Sequence, residues 1–419
     1  MVNEKRLSLF HRIVSKLGLV LFGLLFGCLL AEVTLRVAGY SYPEFYQPDN
    51  QLGYALRPNM QGWYRKEGSA YVQINSDGLR DREHTRVKPP GTFRIAIIGD
   101  SYPEAFPVEL EEAFWSVMAA KLQACDPFHG SQVEVINFGV SGYSTAQELI
   151  TLRERVWAYS PDLVMLTITT NNDISDNLPQ LKRTDQIPYF AVVDGKLTLD
   201  DSFKGTSTFR WRQSPVSRFG RWIRDHSRVI QAVIQGHHGF KIWFAARRAS
   251  RPQAAQPAAG NNGNEALPAS EETGIDNLIY REPRDKVWQD AWDITEKLIL
   301  QMRDEVTSRG AQFVIVTLSN GLQVYPDEAA RQAASKRLGA TDLLYPDKRI
   351  QQFALANHMN VMTLAPQLQA YAQQHKVYLH GFGKELGNGH WNQLGHRVAG
   401  ELIAQRLCED ILRRNEPVH

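Results

Sequence analysis

The sequence predicts an α/β fold. The expected form is a three-layer α/β/α sandwich around a doubly wound, five-stranded, mainly parallel sheet, with an N-terminal membrane helix and an inserted cap. Three observations carry this. Apolar runs rich in Val and Ile alternate with stretches of helical periodicity, as in strands buried on both faces. The alternation stops for about a hundred residues and then resumes. An uncharged apolar stretch stands near the N-terminus behind a basic cluster. The 419 residues are 43% hydrophobic, enough for a large core. A formal charge of +2 speaks against a bulk electrostatic grip on nucleic acid. Three cysteines cannot build a disulfide scaffold or a four-thiolate zinc site.

Residues 1–16 form a basic, cytoplasmic N-terminus containing Lys5, Arg6, Arg12 and Lys16. Leu17 to Ala31 carries no polar side chain, and with its flanks the anchor is read over 17–36, close to the ~20 helical residues that cross a bilayer. Positive charge ahead of the span holds it inside. The rest of the chain is therefore expected on the periplasmic side of the inner membrane, held by a single pass. The alternative is secretion after signal cleavage, with Val37-Ala38-Gly39 as the best site. Residues 40–90 are rich in Pro, Gly, Tyr and Asn, and a strand from Ala70 to Ile74 runs into Asn75-Ser76-Asp77-Gly78, a turn signal. They are read as a small β-rich lead-in.

The sandwich is expected from 91–177 and 286–419. Strands are read at Phe93 to Ile98, Val133 to Val140, Leu163 to Thr169, Phe313 to Leu318 and Val361 to Leu364. Helices are read at Glu111 to Ala124, Thr145 to Tyr159, Lys286 to Ser308 and Gln393 to Leu412. Residues 178–285 form the insertion. Lys204 to Arg251 holds eleven Lys/Arg, only Asp225 as an acid, and Trp211, Trp222 and Trp243. It is read first as a solvated cap whose aromatics make a small core. A second reading rests its aromatic, basic face on anionic lipid headgroups. Residues 249–275 have linker composition.

In a parallel sheet, reactive groups gather beyond the carboxyl ends of the strands. Those ends read Gly99-Asp100-Ser101-Tyr102, Asn137-Phe138-Gly139-Val140-Ser141-Gly142 and Thr170-Asn171-Asn172-Asp173. Gly387-Asn388-Gly389-His390-Trp391-Asn392 precedes the last helix. The chemistry they suggest is acyl transfer through a serine. A hydroxyl needs an adjacent base, which makes Ser101 the nucleophile and His390 its partner. The oxyanion needs donors held in advance, which the Ser101 N–H, the Gly142 N–H and the Asn172 amide supply. No G-x-S-x-G elbow, P-loop or H-E-x-x-H is present.

This constellation resembles the SGNH hydrolases, also called GDSL-type esterases, whose four motif residues map onto Ser101, Gly142, Asn172 and His390. The resemblance spans about residues 93–412, insertion excluded. It implies a flavodoxin-like sheet, an acyl-ester substrate and no metal or organic cofactor. The membrane segment, LGYALRPN, INSDGLRD and HWNQLGH look like the membrane-anchored bacterial branch, which includes proteins that handle acyl groups on envelope polysaccharides. The resemblance thus implies a small acyl ester, acetyl on a glycan being one example. Acyl transfer to a glycan hydroxyl is the runner-up, and an inactive binding or assembly module a third reading.

Two departures stand out. GDSY replaces GDSL, which is mild. The family's aspartate two or three residues before the histidine is replaced by Asn388 and Gly387. Either a backbone carbonyl or an acid such as Glu385 orients His390, with Asn388 the other neighbour, or the enzyme is weakened. Finally, the helices ending near Cys125 and carrying Cys408 are neighbours in such a sheet, and an exported location permits oxidation, so a Cys125–Cys408 disulfide is predicted.

Overall fold

The computed structural model describes residues 2–125, 131–170, 172–237 and 277–415, and the linker read at 249–275 lies outside the described residues. The sheet has five strands: β5 (Thr92–Ile98), β6 (Gln132–Asn137), β7 (Leu163–Thr169), β10 (Gln312–Leu318) and β11 (Asn360–Thr363). Their spatial order is β11-β10-β7-β5-β6, and every pairing is parallel. This is the flavodoxin-like winding: the chain leaves β5 toward one edge and returns to build toward the other.

Near-continuous apolar strands are explained by two cores. Ala96, Ile98, Val164, Leu166 and Ile168 face the helices Thr145–Glu154 and Lys286–Ser308. The alternate residues Ile95, Ile97, Met165, Val314 and Val316 face the helices Phe114–Cys125 and Gln393–Asn415. Period-two alternation feeds both layers, so most strand positions are apolar, and buried polar ones such as Arg94, Asn137 and Thr167 are hydrogen-bonded. On the second face, Cys125 and Cys408 form a disulfide with Cα atoms 6.6 Å apart.

Element boundaries differ from the expectation at one strand and two helices: the strand expected to reach Val140 ends at Asn137. The helix expected from Glu111 starts at Phe114, because Leu110–Glu112 is a 3₁₀ turn. The one expected to reach Tyr159 ends at Glu154 and continues as the 3₁₀ turn Val156–Tyr159.

The lead-in is two antiparallel hairpins. The first pairs β1 (Tyr46–Asp49) with β2 (Gly53–Leu56), and the second pairs β3 (Gln61–Tyr64) with β4 (Ala70–Gln73). Two-stranded hairpins bury too little to stand alone. Accordingly Phe45, Leu52, Leu56, Val72 and Ile74 belong to the same core as β5 and β7.

The stretch read as an insertion at 178–285 is divided between two units. Residues up to Arg212 group with the sandwich, including a hairpin of β8 (Tyr189–Val193) and β9 (Lys196–Asp200) whose Phe190 enters the first core. A second unit holds the N-terminal helix Val2–Val37 and, among the described residues, 213–237. Its aromatics do not make the expected core: Trp222 is 54% exposed, and in the sandwich unit Trp211 is 62% exposed. Trp243 lies outside the described residues.

Candidate active site

Ser101 opens a single helical turn, Ser101–Glu104, directly after β5. As first residue of that turn its N–H has no partner within the helix. Asp100 caps it by accepting from Tyr102 N at 3.2 Å. The same buried carboxylate accepts from Thr169 Oγ1 at 2.8 Å and from Asn172 Nδ2 at 2.9 Å. Asp100 therefore ties the end of β5 to the end of β7, as a turn-shaping residue rather than an acid of the reaction.

His390 Nε2 lies 2.8 Å from Ser101 Oγ, although 289 positions separate the two residues. The histidine loop is held by its neighbours. Trp391 is fully buried and donates Nε1 to Ser319 Oγ at 2.9 Å. Gly381 N donates to His390 O at 2.9 Å, and the Tyr102 ring lies 5.2 Å from the imidazole. Buried His380 sits behind, Nδ1 2.7 Å from Gly389 O and Nε2 3.1 Å from Ser319 Oγ. Burial pushes its pKa down to about 4, so at neutral pH it is an uncharged strut. His396 is also buried and depressed, and it accepts from Phe114 N at 3.2 Å.

The partner of His390 Nδ1 is neither Glu385 nor Asn388, nor a backbone carbonyl. It is Glu67, in the loop between β3 and β4, whose Oε2 bonds Nδ1 while Oε1 accepts from His390 N at 2.7 Å. Burial would lower the His390 pKa, but the hydrogen bond and charge of Glu67 outweigh it and the net shift is upward. Glu67 is correspondingly lowered: burial works against it, and the bonds to His390 prevail. Gly389, at φ +74, is needed here because the Glu67 carboxylate fills the space a side chain would occupy. Asn388 and Glu385 miss the role because this loop curls through Gly387 N to His380 O and Asn388 N to Glu385 O, which makes local turns of them.

Beyond β6, Gly142 has φ +77, and Tyr54 OH stands where its side chain would be. Tyr54 donates to Ser141 O at 2.8 Å, and Tyr143 OH donates to Tyr54 O at 2.7 Å. Ser141 N donates to Glu104 Oε1 at 3.0 Å, and Tyr46 OH donates to the same carboxyl at 2.9 Å. Burial pushes Glu104 up to about 8 despite these donors. The turn carrying Gly142 is thus clamped from below by Glu104 and from the side by the first hairpin. Asn172 Nδ2 has two hydrogens, and the bond to Asp100 uses one.

The structure brings Ser101 and His390 together with Glu67, and carries Gly142 and Asn172 on the turns beyond the neighbouring strands β6 and β7. Sequence reasoning missed Glu67, Glu104, Tyr54 and His380. The only signal for the first was negative, the missing acid before His390. Among the described residues no group of three or more His, Cys, Asp or Glu side chains could hold a metal ion.

No protein-family model matches the chain, and no curated protein does. Solved structures share its outline. One is the acetyl xylan esterase AlAXEase, 12% identical, TM-score 0.37, covering 75% of this chain and 100% of that one. Another is a putative lipolytic protein of the G-D-S-L family from Desulfitobacterium hafniense, 12% identical, TM-score 0.33, covering 74% and 98%. A third is a catalytic mutant of Axe2, an acetylxylan esterase from Geobacillus stearothermophilus, 11% identical, TM-score 0.36, covering 78% and 96%. These likenesses are remote, and the chemistry rests on the residues of this chain.

Proposed function

We propose that this chain is a serine esterase of the SGNH type with a Ser101–His390–Glu67 triad. One observation carries the reading: a serine hydroxyl 2.8 Å from an imidazole whose other nitrogen is held by a carboxylate. Ser101 Oγ attacks an ester carbonyl and its proton passes to His390 Nε2, leaving an imidazolium that Glu67 stabilises. The Ser101 N–H, the Gly142 N–H and the second hydrogen of the Asn172 amide receive the oxyanion. Collapse of the tetrahedral intermediate returns the proton from His390 to the departing alcohol. Water, deprotonated by His390, then attacks the acyl-serine and frees the acid. If a glycan hydroxyl enters instead, the same steps make a transferase.

The inactive-module reading drew its strength from the missing aspartate, and Glu67 removes that ground. The proposed substrate is a small acyl ester, carried on an envelope polysaccharide. The proposed location is a retained single-pass anchor with the catalytic body outside the cytoplasmic membrane. A helical stretch Val14–Val37, apolar enough to span, supports it. So does Glu32 near its end, which accepts from Arg228 N and Val229 N at 3.0 Å each. Cleavage after Gly39 would strip those donors of their acceptor.

The test is to treat the full chain in detergent with a fluorophosphonate probe and with p-nitrophenyl acetate. Labelling and turnover are expected, and Ser101→Ala should abolish the first and cut the second by up to ~10⁶-fold. Labelling unchanged in Ser101→Ala overturns the assignment.

A further inference from the structure

The helix Pro215–His226 wears its amphipathicity inside out. At 100° per residue, Val216, Phe219, Trp222 and Ile223 share one side, and Ser217, Arg218, Arg221, Arg224 and Asp225 share the other. In a water-soluble cap the first set would turn inward. Here Val216 is 74%, Phe219 61% and Trp222 54% exposed, while Arg221, Arg224 and Asp225 are partly covered. Arg224 pairs with Glu44 at 2.7 Å, and Arg221 donates to Ser217 Oγ at 3.1 Å. Apart from exposed Arg218, the polar side is therefore the more covered one. An apolar face of this size, left to water, marks a surface meant for another phase.

What phase it meets follows from where the helix ends. His226 O accepts from Arg36 Nη2 at 2.6 Å. Ser227 Oγ donates to Glu32 at 3.2 Å, and the Glu32 carboxylate caps the next helical stretch, residues 228–237, through the backbone of Arg228 and Val229. Tyr42 N donates to Gln231 Oε1 at 2.9 Å. Glu32 and Arg36 lie in the last turns of the span Val14–Val37, where hydrocarbon gives way to headgroups, and Tyr40 and Tyr42 follow as an aromatic pair 4.9 Å apart. The amphipathic helix is thus fastened to the span at interfacial depth. Exposed Arg218 at the edge of the apolar side matches the charge of anionic headgroups.

We propose that Pro215–His226 lies flat in the interface of the same membrane that Val14–Val37 spans, with Val216, Phe219 and Trp222 among the acyl chains. The anchor is then a span plus a surface helix, bolted together by Glu32 and Arg36. This rests on the retained-anchor reading.

The test uses the full chain in a Cys28→Ser background, since Cys28 is the free thiol. Phe219→Cys, Arg218→Cys and Leu25→Cys are each labelled with an environment-sensitive fluorophore (NBD). The proteins are reconstituted in vesicles of phosphatidylcholine and phosphatidylglycerol. Phe219 and Arg218 are both exposed, so neither label displaces packed side chains. The 219 label should be quenched by shallow doxyl lipids and reduced by dithionite about tenfold more slowly than the 218 label. The label at 25 should be quenched by deep doxyl lipids. Equal reduction at 218 and 219 with 25 still embedded overturns the surface helix and leaves the anchor standing. A label at 25 open to water overturns the anchor and this inference with it. Protection at 219 without lipid quenching, accompanied by cross-linking between copies, assigns the face to a second chain and also overturns it.

Discussion

The rim of the sheet and the two lead-in hairpins contribute to one site in opposite ways. The rim gives Ser101, Gly142 and Asn172 on short turns beyond adjacent strands, each with a recognisable local pattern. The hairpins give Glu67, Tyr46 and Tyr54, none of them in a pattern that announces chemistry. Yet Glu67 holds His390 Nδ1, and Tyr54 backs the Gly142 turn. The acid of the proposed triad is thus defined by where its carboxylate ends up, not by its place in the sequence. In the proposed triad the carboxylate reaches His390 across 323 residues.

After Ser101→Ala, Glu67→Gln should have the greatest effect on catalysis. If the hairpin carries the acid, kcat falls by roughly 10³–10⁴-fold, as when a triad carboxylate becomes an amide in a serine protease. The pH profile gives the sign. His390 must be neutral to accept the Ser101 proton, and Glu67 raises its pKa, so the acid limb of kcat/KM should lie above the ordinary histidine value of about 6.5. Without the carboxylate, burial is left to lower the pKa, and the limb should move to lower pH while the plateau drops. Glu385→Gln should leave both within about twofold, inside the scatter of a surface change. The reverse pattern would return the acid to the histidine loop.

Next comes the rim. Asn172→Ala should lower kcat by about 10²–10³-fold with little change in fluorophosphonate labelling of the folded protein. A loss confined to KM would remove Asn172 from the oxyanion and leave it as the strut of Asp100. The smallest catalytic effect is expected from Tyr54→Phe, which deletes one hydrogen bond to Ser141 O worth about 0.5–1.5 kcal/mol, so about tenfold or less in kcat. A larger loss would make the first hairpin part of the chemistry rather than its support. Separate from both regions, Cys125→Ser should cost about 2–5 kcal/mol in denaturant unfolding with kcat unchanged.

Much of the fold was legible because its cause is local. Leu163–Thr169 is buried at every position and reads as a near-continuous apolar strand, and Lys286–Ser308 shows its Trp288, Trp292 and Leu298 stripe at helical spacing. The insertion misled for the same reason in reverse. Trp211 and Trp222 read as core because composition does not say which side of a helix faces water.

By itself the sequence determined the five strands, their parallel pairing and the segments that end at the rim, since alternation and turn residues act over a few neighbours. It also determined that an acid was absent beside His390. Only the tertiary structure decided which acid replaces it, and that Pro215–His226 turns its apolar side outward. Both depend on distant segments meeting: a hairpin too small to fold alone docks onto the sheet core, and a carboxylate near the end of the N-terminal helix caps a helix some two hundred residues away. Contacts of that range are set by packing and leave no periodicity in the chain to read.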